Sequence, residues 1–136
     1  MGRLVIIVNE NMLTDAPVFP SIRVSDLIAA REFYEGKLGL KVVYENPGEL
    51  LLLAGKNSRI YLYEGEKSIA THTIAVFYVE DIFKTLDELK NKGVDPLMYD
   101  FSDLKTDERG VATRGEKKSA WISDPDGNIL GLSQIK

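Results

Sequence analysis

The chain has 136 residues, 44% of them hydrophobic and 28% charged, which is ordinary for a soluble globular domain. Lys plus Arg number 17 against 21 Asp plus Glu, a formal net charge of −4 with no basic cluster, so neither nucleic acid nor a membrane is an expected partner. With no cysteine, disulfides, thiolate metal sites and cysteine nucleophiles are excluded, and a cytoplasmic setting is the expectation.

Residues 1–18 read as an N-terminal extension. Within it 3–8, RLVIIV, predicts a strand, and the apolar run is too short for a leader or a bilayer span. Residues 19–24 (FPSIRV) predict the next strand. Asp26 then stands at a helix N-cap; Leu27, Ala30, Tyr34 and Leu38 follow at spacings of three and four, and Gly39 ends the helix. Apolar runs at 41–45, 50–54 and 59–63, separated by NPGE and GKNS, predict a meander. Residues 72–79 (HTIAVFYV) predict a strand, Asp81 a second N-cap, Ile82, Leu86 and Leu89 a helix stripe, and Gly93 its stop. Residues 95–101 read as a further strand and 102–116 as a long polar connection of the kind that covers a binding site. Residues 117–123 and 129–134 close the chain as a hairpin.

The halves repeat. VSDLIAAREFYEGKLGL stands against VEDIFKTLDELKNKGV, and RIYLY (59–63) matches ILGLS (129–133) in its alternation. A period of roughly 55 to 70 residues is too long for a solenoid unit. It predicts an α+β domain over 19–136, made of two βαβββ modules at about 19–64 and 72–135. They form a curved mixed sheet around a groove, with helices on the outer face.

On these residues the chain resembles the vicinal oxygen chelate superfamily, which includes glyoxalase I, extradiol dioxygenases and bleomycin resistance proteins. The resemblance is carried by VSDLIAAREFYEGKLGLKVV, by VEDI with LKNKGVDP, and by the terminal WISDPDGNILGLSQ, and it covers about residues 19 to 135. Many enzymes of that family hold one divalent metal on His, Glu or Gln side chains from the first and last strand of each module. The chemistry needs several N/O donors converging on one cation with positions left for substrate oxygens. The corresponding positions here are Phe19, Tyr61, Ile74 and Gly131, the last where the family pattern D-P-D-G-N-x-x-E would have a Glu. Phe, Ile and Gly offer no donor and Tyr is a rare one. His72, two residues before Ile74, is the fallback candidate if the register slips.

Strand alternation sends Ile22, Val24, Ile60, Leu62, Ala75, Phe77, Leu130 and Leu132 to the helix side. Phe19, Ser21, Arg23, Tyr61, Tyr63, Ile74, Val76, Tyr78, Trp121 and Gly131 then line the groove, with Leu51, Leu53 and Arg59 as additional members. Such a lining suits a small-molecule ligand held by stacking, with Arg23 pairing either a ligand anion or an internal acid. No catalytic residue, metal or cofactor is expected, and the chain is expected to be a homodimer. The alternatives are a divalent-metal lyase or dioxygenase of the same superfamily, and a non-catalytic interaction module whose N-terminal strand pairs with a partner. In the hairpin, Asp124-Pro125-Asp126-Gly127 predicts a type I turn with a bulge, which would set Trp121 opposite Gly131 with its ring over the bare glycine.

Overall fold

The computed structural model describes residues 12–68 and 71–136. The strand expected at 3–8 lies outside the described residues. After a short 3-10 turn (Met12–Asp15), the first module runs β1 (Ser21–Val24), α1 (Leu27–Arg31), β2 (Lys41–Asn46), β3 (Glu49–Ala54) and β4 (Ser58–Glu64). The second runs β5 (Thr73–Tyr78), α2 (Ile82–Asn91), β6 (Ala112–Arg114), β7 (Lys117–Ser123) and β8 (Ile129–Gln134). Each module is a four-stranded sheet with the same order, β1-β4-β3-β2 and β5-β8-β7-β6, so the curved surface is built from two halves, not one continuous ladder. In both, the first and last strands pair in parallel and the others antiparallel.

The repeat extends to single hydrogen bonds. The Asp26 carboxylate accepts from the amides of Ile28 and Ala29 at 3.0 and 3.1 Å, and Asp81 from Lys84 at 3.1 Å. These are N-caps worth about 1 kcal/mol each. The last strand of each module reaches back to the next orphan amide: Glu64 accepts from Leu27 at 3.0 Å and Gln134 from Ile82 at 2.8 Å. Helix start and sheet edge are therefore fixed together in each half. Ile22, Val24, Leu50, Leu52, Ile60 and Leu62 bury one face of the first sheet, and Ala120, Ile122, Leu130 and Leu132 that of the second. Both sets face the helices, as the alternation predicts.

Four local expectations are corrected. β1 begins at Ser21, not residue 19, since Pro20 has no amide to give a ladder; its carbonyl instead accepts from the Tyr61 amide at 3.0 Å. The first helix is α-helical only to Arg31 and continues as a π-helical stretch, Glu32–Lys37, closed by the Leu38 amide on the Phe33 carbonyl at 2.9 Å. The wider turn puts consecutive Phe33 and Tyr34 both inward. Residues 95–101 form no strand: the Leu97 amide goes to the Trp121 carbonyl, that of Tyr99 to Thr106 Oγ1 and that of Phe101 to the Leu104 carbonyl. The stretch 102–116 is not a structureless cover. It contains β6, and Asp107 accepts from the amides of Arg109 and Val111 at 2.8 and 2.9 Å. Arg109 lies over the Phe83 ring at 4.9 Å and pairs with Asp87, while Val111 is buried.

The modules are joined through the β7–β8 turn. Gly127, at φ +86°, donates to the Asp124 carbonyl at 3.0 Å, and the Asp124 amide donates to the Asn128 carbonyl at 2.9 Å, giving the expected bulged turn. The turn does more than reverse the chain. The Asp126 carboxylate accepts from the Ser25 amide at 3.0 and 3.1 Å, and Asn128 Nδ2 donates to the Arg23 carbonyl at 3.1 Å. The buried Asp124 carboxylate takes the Tyr34 hydroxyl at 2.8 Å. Burial, and then the charge of Asp124, hold Tyr34 protonated well above its ordinary value of 10.0.

Because Tyr34 ionises near that ordinary value once unfolded, its contribution is complete below about pH 10 and falls above it by about 1.4 kcal/mol per unit. Tyr34→Phe should be about 1–3 kcal/mol less stable at pH 7, since a buried Asp124 oxygen loses its partner. It should also lose less stability than the parent between about pH 10 and 11. Urea denaturation across that range measures both; parallel pH slopes would contradict the assignment.

Candidate functional site

The inner face of the first sheet is a grid fixed by register. Arg23, Tyr63, Glu49 and Asn46 form one cross-strand row, and Ser21, Tyr61, Leu51 and Tyr44 the next. Arg59 and Leu53 pair in a third. Tyr61 and Tyr63 stack at 5.8 Å with 20° between their planes. The Tyr61 hydroxyl donates to Glu49 Oε2 at 2.5 Å, and Asn46 Nδ2 donates to Glu49 Oε1 at 3.2 Å and to the Tyr44 hydroxyl oxygen at 2.6 Å. The bond from Tyr61, then that from Asn46, hold the Glu49 carboxyl below its usual range, and the same Glu49 bond raises the Tyr61 phenol. Glu49 is thereby kept ionised and Tyr61 protonated.

Glu49 and Asn46 were not among the residues the sequence singled out. The signal was available, because alternation back from Leu51 places Glu49 on its face. A glutamate next to a Pro-Gly turn, however, reads as a solvated hairpin end.

Among the described residues neither Arg23 nor Arg59 forms an ion pair, so the internal acid expected for Arg23 as one option is not found. The Arg23 stem instead packs over Gly65, where a Cβ would lie 2.8 Å from Arg23 Cδ. Arg59 Nη1 reaches only the Ser58 carbonyl, at 3.5 Å.

A cleft of about 440 Å³ opens where β4 extends past the start of β1. Pro20, Gly55, Ser58 and Arg59 line one side, and β5 residues including Val76 and Tyr78 the other. A second, of about 370 Å³, lies between residues 102–105 and the β6–β7 hairpin and is lined by Trp121, Ser119, Arg114 and Lys117. The expected groove residues thus fall in three places: Ser21, Arg23, Tyr61 and Tyr63 on the first sheet, Val76 and Tyr78 in the first cleft, and Trp121 in the second. Phe19 is half-buried and precedes β1.

Ile74 is a correction. The β5–β8 register shifts between Thr73 and Ala75, so Ile74 is the extra residue of a bulge and packs against the core. That bulge also breaks the two-residue step from Ile74 to His72, which lies exposed before β5 with Nδ1 3.4 Å from Thr71 Oγ1. Trp121 does pair with Gly131. The space at the glycine is taken, however, by Thr73 Cγ2 and Val76 Cγ2, each 3.3 Å from where a Cβ would stand. The indole meets Tyr99 edge-on at 5.4 Å.

The family's metal positions do not fit a metal here. Phe19 and Ile74 carry no donor, the Tyr61 hydroxyl is committed to Glu49, and a side chain at Gly131 would press on Thr73 and Val76, which must give by a few tenths of an ångström. Among the described residues no group of three or more His, Asp or Glu converges on a point where a cation could sit.

The Glyoxalase/Bleomycin resistance protein/Dioxygenase superfamily model matches residues 16–132, and the chain belongs to that superfamily. Solved structures agree. The fosfomycin resistance protein FosX from Listeria monocytogenes is 17% identical, with 88% of this chain and 93% of that one covered and a TM-score of 0.68. TnmS3, an antibiotic binding protein from Streptomyces sp. CB03234, is 20% identical over 89% of this chain and 98% of its own, at 0.64. A glyoxalase/bleomycin resistance protein/dioxygenase from Alicyclobacillus acidocaldarius is 17% identical over 88% and 91%, at 0.66. Identities at this level establish a common fold. No curated protein matches the chain. Among the described residues no helix is long and apolar enough to cross a membrane.

Restoring the family's carboxylate is expected to fail as a repair. Gly131→Glu should cost about 1–3 kcal/mol through overpacking against Thr73 and Val76 and bind no stoichiometric divalent metal. Urea denaturation and metal analysis test this; an unchanged midpoint, or one metal per chain, would contradict the packing described.

Proposed function

We propose that the chain is a metal-independent small-molecule binding protein, with the ligand stacked on the inner face of the first sheet. The observation that carries this is the run of β4. Its inward positions Arg59, Tyr61 and Tyr63 lead from the cleft shared with Val76 and Tyr78 onto the stacked tyrosine pair. A mostly apolar wall with a few fixed polar groups is the usual form of a small-molecule site. Arg59, with no acid partner among the described residues, supplies one such group toward a ligand anion or carbonyl. Ser21, Arg23, Trp121 and Gly131 belong to the same inner surface in this proposal, while Phe19 borders it.

Assembly as a homodimer goes with this proposal. Val76 and Tyr78 on β5 are 44% and 69% exposed, apolar surface that a second copy would cover while walling the cleft. Residues 1–18 are an extension to the binding domain at 19–136, and the cysteine-free composition fits the cytoplasm. TnmS3, an antibiotic binding protein, and FosX, a fosfomycin resistance protein, support this reading as proteins of the same fold.

A screen of aromatic compounds, read by Trp121 and tyrosine fluorescence and by thermal shift, should return binders whose affinity survives chelator treatment. Tyr63→Ala should weaken them about tenfold through lost stacking. A screen without binders, or binding abolished by chelation, would refute the proposal.

A further inference from the structure

Glu49 is the one carboxylate on the grid of the first sheet's inner face, half-buried and held in place by neighbouring side chains of the sheet. Both oxygens accept from neutral donors held by the sheet, Tyr61 at 2.5 Å and Asn46 at 3.2 Å, and among the described residues no Lys or Arg pairs with it. Each carboxylate oxygen has a second acceptor direction, so these bonds fix the group without exhausting it. Beside it the Tyr61 and Tyr63 rings stack. A phenol that donates to a carboxylate has a more electron-rich ring, which strengthens the attraction of its face for a cation.

We infer that Glu49, with the rings of Tyr61 and Tyr63, forms a subsite for a cationic nitrogen carried on an apolar ligand, an ammonium or amidinium group. This rests on the inner face being the ligand site and adds the chemical class of the ligand. The bonds from Tyr61 and Asn46 favour the charged form of Glu49. It acts as a fixed negative charge beside an aromatic platform. Arg23 stands in the same row, next to Tyr63 and two strands, about 10 Å, from Glu49, with its stem turned away onto Gly65. At that separation ordinary salt reduces its repulsion of a cation held at Glu49.

The test uses benzylammonium, with benzyl alcohol and benzoate as neutral and anionic comparators, titrated into the isotopically labelled full chain and followed by amide and tyrosine ring shifts. The ammonium should bind with shifts centred on Glu49, Tyr61 and Tyr63, and Glu49→Gln should weaken it about tenfold while leaving benzyl alcohol unchanged. Glu49→Lys, checked for a native spectrum, should lose the ammonium and gain benzoate. If all three probes bind alike and Glu49→Gln changes none of them, the cation subsite is overturned and the binding face survives. If none shifts this face, both are overturned.

Discussion

Asp124 gathers four hydrogen-bond donors onto one buried carboxylate: the amides of Asp126 and Asn128, the Asn128 side chain and the Tyr34 hydroxyl. A carboxylate only 5% exposed survives in the fold because its lone pairs are so fully used. Everything on the inner face depends on that clasp. Through Asp126 to Ser25 and Asn128 to Arg23, the turn between the last two strands of the second module holds the junction of β1 and α1 in the first. β1 in turn aligns β4, whose residues 61–64 pair with 21–24 and bring Tyr61 and Tyr63 inward. The turn between the last two strands of one module thus positions the inner face of the other.

Duplication explains the architecture, and the departures from it explain the chemistry. Helix caps, strand order and the Glu64 and Gln134 contacts agree between the halves. The inner faces do not. Tyr61 in the first module corresponds to Gly131 in the second. The first carries a stacked tyrosine pair with a fixed carboxylate, the second a glycine packed under Thr73 and Val76. Where relatives converge donors on a cation, this chain has separated an aromatic platform from a tightly packed backbone. Among the described residues, the polar groups around the platform do not gather into a metal cage.

Much of the fold was legible because its signals are local. Two N-cap aspartates, two helix stripes, two helix-ending glycines and a strand alternation unbroken across β4 and β8 each act within a few residues. The hairpin was read to the residue, Trp121 opposite Gly131, since its turn chemistry sets its register. What escaped was non-local. The bulge at Ile74 depends on how β5 meets β8, and the turns of 95–111 are anchored to the rest of the fold by bonds to Trp121, Asp87 and Phe83. Asp124 and Asp126 were read for their turn roles, because nothing near them in the chain reveals Tyr34 or Ser25 as partners. Of the site, the inward positions on β1, β4 and β8 followed from alternation. Alternation also put Glu49 on that face, but its bonds to Tyr61 and Asn46 follow only from the pairing of β3 with β2 and β4.

The central claim is that a small molecule is held on the stacked tyrosines without a metal. A crystal structure of chelator-treated protein with a ligand from the aromatic screen tests it most directly. The account predicts ligand density over Tyr61 and Tyr63, reaching toward Arg59, with no ion bridging it to the chain. Density for the ligand coordinated by a divalent ion, or a tyrosine face covered by a neighbouring subunit while the ligand sits elsewhere, would contradict it.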